Sequence, residues 1–170
     1  AGKRSTNVNL SSRLTPHRSP PVQSPHPPIL IGGAKPRMLR AMARYADAVN
    51  MLGARGPNEY AQLLEKLERY CGEEGTDFKR LRKTHFMTFV VGEDQDDVRD
   101  VLSRVSTAEG ISVEEYRSRR ARAFIGTAPE AVELLKRYMA LGVTQFQTVF
   151  PYQEEKRSLN LWADRILSAL

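Results

Sequence analysis

Residues 28–50 read PILIGGAKPRMLRAMARYADAVN. The run Ile29, Leu30, Ile31 has the composition of a short strand, and two glycines follow it. After Lys35, Pro36 and Arg37, apolar residues recur at helical spacing: Met38, Leu39, Met42, Ala43 and Ala46. A second apolar run, Ala48 to Met51, begins behind Asp47. Strand, glycine turn, helix and strand make one compact βαβ unit. Glycines in that turn let backbone approach a ligand closely, and a helix N-terminus behind them suits a phosphate. The same glycines could simply turn the chain, and the spacing alone leaves both readings open.

Downstream, helical and extended patterns keep alternating. Asn58 is placed to cap a helix carrying Leu63, Leu64, Leu67 and Tyr70 on one face and stopping between Gly72 and Gly75. A short turn is expected between Asp77 and Arg82. Residues 84–91, THFMTFVV, are β-branched and aromatic and close on Gly92, which predicts a strand. A helix over 94–105 follows, with Val98, Val101, Leu102 and Val105 along a face. Ser112 to Glu115 reads as a capping box, and Arg117 to Arg122 as a solvated face. Thr127, Pro129 and Glu130 start another helix that stops at Gly142. Residues 143–149 form a further strand. A final helix is expected over 154–170, burying Leu159, Trp162, Ile166 and Leu167. Strands near 28–31, 48–51, 84–91 and 143–149, each followed by helix, imply an α/β fold with a parallel sheet.

The chain has 170 residues and 41% hydrophobic content, enough for one domain with a core. No apolar run approaches the roughly 18 residues of a membrane span. The single Cys71 excludes an internal disulfide framework and a cysteine metal cluster, and fits a reducing cytoplasm. Of the net charge of +6, Lys3, Arg4, Arg13 and Arg18 supply four, and the first 26 residues hold no acid. The body is nearly balanced, which argues against a nucleic-acid surface. Residues 1–26 are rich in Ser, Pro and Arg and lack periodicity, so they read as a disordered basic leader to a domain over 27–170.

Three segments carry a resemblance: PPILIGG with LRAMARYADAVN (27–33 and 39–50), FIGTAPE (124–130) and LGVTQF (141–146). In this order the chain resembles the luciferase-like monooxygenase superfamily, and within it the branch of oxidoreductases that use the deazaflavin coenzyme F420. The resemblance implies a TIM-type (β/α)8 barrel of about 250 residues, of which this chain would be the C-terminal half, some four βα units. A flavodoxin-like open sheet is the structural alternative. Functionally it implies a piece of an F420- or FMN-dependent oxidoreductase that transfers a hydride between cofactor and a small organic substrate. With the barrel's first half missing, whether the chain is itself an enzyme stays open. The other reading is a non-catalytic half-barrel, an oligomerisation or binding module. Exposed strand edges favour a homo-oligomer in either case.

In parallel α/β folds a ligand lies beyond the C-terminal ends of the strands. Gly32, Gly33 and Ala34 follow the first strand, and Asn50, Leu52, Gly53 and Arg55 end or follow the second. The resemblance puts the cofactor phosphate at these two turns. Gly32, Gly33 and Gly53 would donate backbone N–H groups, and Arg55 would pair with the phosphate bidentately. Pro36 departs from the family's commoner glycine-rich turn. No residue is assigned a catalytic or metal-binding role. His17 and His26 lie in or at the end of the leader, and His85, at the start of a strand, reads as a packed core residue. Asp47 reads as a hydrogen-bonding residue before a strand.

Overall fold

The computed structural model describes residues 22–24, 26–51 and 56–170. Five strands and six α-helices follow in the order β1 (Leu30–Gly32), α1 (Pro36–Tyr45), β2 (Ala48–Asn50), α2 (Pro57–Glu74), β3 (Arg82–Gly92), α3 (Gln95–Ala108), α4 (Val113–Arg119), β4 (Phe124–Thr127), α5 (Ala128–Ala140), β5 (Val143–Val149) and α6 (Glu155–Leu161). A 3-10 turn over Phe78–Arg80 precedes β3, with Asp77 accepting from the Lys79 N–H.

Every strand pairing is parallel. β2 lies between β1 and β3, and β5 pairs with β3 over Lys83–Thr88. The four strands expected from sequence are therefore neighbours in chain order. Three of the helices share one side: Leu39 and Met42 of α1, Leu64 and Leu67 of α2 and Leu135 of α5 enter a single core with Val49, Phe89 and Val91. A doubly wound, flavodoxin-like sheet reverses its strand order and splits its helices between two faces. Here the four main strands keep chain order, so the flavodoxin-like strand order is excluded, although α3 and α4 cover part of the other face.

β4 was not expected as a strand. FIGT reads as the lead-in to a helix, yet it pairs with Phe89–Gly92. β3 is long enough to pair with β5 along its first half and β4 along its last four residues. On the opposite face from Phe89 and Val91, Val90 is covered by a second core of α3 and α4: Val98, Val101, Leu102, Val105 and Tyr116. That two-sided burial explains why residues 89–91 are apolar without alternation.

Local signals held where the partners are close in sequence. Thr127 and Glu130 form the expected reciprocal capping box, with Thr127 N donating to Glu130 Oε2 at 2.7 Å. Ser112 caps α4 through the Glu115 N–H. Asn58, by contrast, does not cap α2. The helix begins one residue earlier on Pro57, behind Gly56. Proline at the first position loses nothing there, since that N–H has no helical partner.

The last helix also differs. α6 ends at Leu161, a π turn runs over Trp162–Ile166, and a 3-10 turn over Leu167–Ala169. Leu161 and Ile166 are buried, whereas Leu159 and Leu167 are exposed. Two buried residues five apart share a face only when the helix widens to an i→i+5 turn. Docking on the sheet, where Trp162 packs against Phe89 with ring centroids 4.7 Å apart, sets that phase.

The other face of β1, β2, β3 and β5 is largely bare. Leu30, Phe86 and Val149 point to it and are 43%, 41% and 44% exposed. Among the described residues no helix is long and apolar enough to cross a membrane.

Candidate functional site

The C-terminal ends of β1 and β2 lie side by side, with Gly32 in register with Asn50. Gly33 continues the ladder by donating its N–H to Asn50 O at 2.9 Å. That donor is spent within the sheet, which corrects the expectation that Gly33 offers it to a phosphate. What Gly33 contributes is its missing side chain. Its φ is +145°, and a Cβ there would stand 3.1 Å from both Cβ and Cγ of Met38.

The N-terminus of α1 is also poorer in donors than the glycine turn suggests. Pro36 has no N–H, and Met38 and Leu39 both donate to Lys35 O. Among the described residues, Arg37 retains the first-turn backbone donor. Ala34 is half-buried against the main core, and Lys35 and Arg37 are exposed. Leu52, Gly53 and Arg55 lie outside the described residues.

Asn50 is 3% exposed. Its Nδ2 donates to Gln147 Oε1 at 2.6 Å, and its Oδ1 is buried without a partner among the described residues. A buried amide oxygen left unbonded costs on the order of 1–3 kcal/mol, so the arrangement calls for a donor. Gln147 was missed in the sequence. It lies on β5, almost a hundred residues away, and only the pairing of β2 and β5 to either side of β3 brings the two amides together. Strand alternation puts Asn50, Phe86 and Gln147 on the bare face.

The remaining candidates are structural. Asp47 Oδ2 accepts from Ile29 N at 2.8 Å, closing the approach to β1 as expected. His85 stands between Tyr60 and Tyr138, its ring centroid 5.1 and 4.3 Å from theirs. Burial lowers the His85 pKa to about 4 and raises that of Tyr138 to about 12. A neutral imidazole on the helix-covered side does not reach the bare face. Gly92, at the end of β3, leaves no room for a ligand either: a Cβ would lie 2.6 Å from Val98 N. Among the described residues, no group of three metal-ligating side chains is close enough to hold an ion. Among the described residues, these strand ends present amides, aromatic carbon and backbone, with no acid–base pair.

The profile of the family described as luciferase-like monooxygenase matches residues 4–145. The match takes in most of the segment set apart above as a leader. A phthiodiolone/phenolphthiodiolone dimycocerosates ketoreductase of Mycobacterium sp. (strain JLS) is 35% identical over 114 residues, 64% of this chain and 30% of that protein. The ketoreductase of the same name in Mycobacterium tuberculosis is 27% identical over 97% of this chain and 42% of its own length. Among solved structures, the coenzyme F420-dependent tetrahydromethanopterin reductase of Methanopyrus kandleri superposes with a TM-score of 0.60 at 17% identity, covering 83% of this chain and 50% of that one. A riboflavin lyase containing modified FMN gives 0.62 at 11% identity, over 84% and 42%. The chain therefore spans half or less of each of these proteins, and its sheet has the fold of part of their barrel. With the family profile matched over most of its length, the chain belongs to the luciferase-like monooxygenase family.

Proposed function

We propose that the chain forms the C-terminal, cofactor-phosphate side of an F420-dependent oxidoreductase, with FMN as the alternative cofactor. The whole enzyme would transfer a hydride between that cofactor and a small organic substrate in the cytoplasm. The observation that supports this most is the bare sheet face with the Asn50–Gln147 amide pair at the strand ends. The pyrimidinedione edge of a flavin or deazaflavin alternates carbonyl acceptors with an N–H donor, which is the chemistry two amides complement. Phe86 supplies a flat apolar contact beside them. For the phosphate, the small residues Gly32, Gly33 and Ala34 keep side chains out of the turn, and Arg37 offers a backbone donor. Leu52, Gly53 and Arg55 would complete this end. The cofactor supplies the hydride chemistry, and this chain's residues hold and orient it.

Titration of the purified chain with F420 and with FMN, following fluorescence and thermal stability together, tests the reading. Saturable stabilisation by one of them, lost in Gly33→Glu or Arg55→Glu, is the expected result. A folded chain that responds to neither cofactor, alone or beside the first half of a family barrel, would overturn it.

A second reading rests on the exposed Leu30, Phe86 and Val149: the face serves as a non-catalytic docking or homo-oligomer surface. Sedimentation showing a stable monomer would count against it.

A further inference from the structure

A second cleft is lined by residues other than those of the amide pair. It opens between the end of β3 and the chain after β5, with a volume of about 580 Å3. Glu93, Lys156, Arg157, Asp164 and Arg165 bring charge to its walls. Glu93 and Arg165 also border an adjoining hollow of about 460 Å3, whose wall is Ala128, Pro129 and Val132 of α5 together with Glu133, which pairs with Lys136.

Two local departures from regular backbone meet at this cleft. Gln153, on its wall, has φ +71°, the one positive value among the described non-glycine residues. The π turn Trp162–Ile166 carries Asp164 and Arg165 into it. Such features cost energy and collect at functional sites. A side chain also crosses here: Arg157 reaches from α6 to donate to Val91 O at 3.2 Å and to pair with Asp97. Together with the Arg104–Glu154 pair, it clamps α6 to β3 and α3.

The charge balance then selects the ligand. Arg157 is neutralised by Asp97. Lys156 and Arg165 remain as cations, Glu93 and Asp164 as anions, and none of the four makes an ion pair among the described residues. Two charges of each sign that face one cleft without neutralising each other suit neither a simple anion nor a simple cation. They suit a zwitterion, and the apolar part of the adjoining wall suits an aliphatic tail. The geometry points to a binding site for an aliphatic α-amino acid. Lys156 and Arg165 take its carboxylate, Glu93 and Asp164 its ammonium group, and the wall of Ala128, Pro129 and Val132 its side chain. This site does not rest on the cofactor reading, since it uses none of the residues placed there.

Calorimetric titration of the 170-residue chain with L-leucine, 4-methylpentanoate and 3-methylbutylamine tests it. L-Leucine is expected to bind saturably, with each single-charge analogue weaker by about tenfold or more. Arg165→Glu and Glu93→Lys should each weaken leucine by a similar factor, while Arg165→Lys and Glu93→Asp retain binding. Those conservative variants separate a lost contact from a lost fold. Failure of leucine to bind, an analogue that binds as tightly, or indifference to Arg165→Glu would overturn the assignment.

Discussion

Phe86 and Phe89 lie on the same strand, three residues apart, and on opposite faces of one sheet. Phe89 is fully buried, touching Phe124 and Trp162, while Phe86 is 41% exposed. The helix-covered face is a closed core of aliphatic and aromatic side chains. The bare face mixes three exposed hydrophobics with an amide pair and ends at the glycine turn. The main core lies on one face; the other is covered by α3 and α4 near Val90 and exposed around Leu30, Phe86 and Val149. For a βα arc that spans half of a barrel protein, this asymmetry is what closure by the other half requires.

The largest expected effect tests the covered face. Phe89→Ala should destabilise by about 3–5 kcal/mol in urea unfolding, from lost transfer energy and the cavity left behind. Phe86→Ser should change stability by about 0.5 kcal/mol or less, as for other half-exposed positions. If the two cost the same, the bare face is covered in solution and the comparison fails.

His85 sharpens it further. Its folded pKa, about 4, lies below the ordinary value of 6.5, so the unfolded chain binds the proton more tightly. The contribution of neutral His85 is fully present above pH 6.5 and is lost as pH falls from there toward 4. The loss should be on the order of 2 kcal/mol. His85→Leu should flatten that part of the stability–pH curve; an unchanged slope would mean the ring is not held neutral between Tyr60 and Tyr138. The smallest effect is local. Thr127→Ala should cost about 1 kcal/mol through loss of the capping box, measured as a shift in urea midpoint.

Much of the fold was legible because its determinants are close in sequence. The Thr127–Glu130 box and the Ser112 cap depend on residues within four positions of each other. Alternating strand and helix patterns sufficed for the parallel sheet. Apart from the local Asn58 cap, which gave way to the Pro57 helix start, the failures share one cause, partners distant in the chain. β4 exists because FIGT meets the last four residues of β3. Leu161 and Ile166 share a face because docking on β3 widens the helix there. Gly32, Gly33 and Ala34 were found from the strand–glycine–helix pattern, but the engagement of the Gly33 N–H by Asn50 O depends on the β1–β2 register.

By itself, the sequence determined the βα alternation, the four main strands, most of the helix starts and the glycine turn after β1. Those follow from periodicity, capping and turn chemistry, which act over a few residues. Only the tertiary structure decided the singly wound order, the sharing of β3 between β5 and β4, and the bare face with its Asn50–Gln147 pair. These rest on hydrogen bonds and packing between residues tens of positions apart, and nothing local in either partner encodes the meeting.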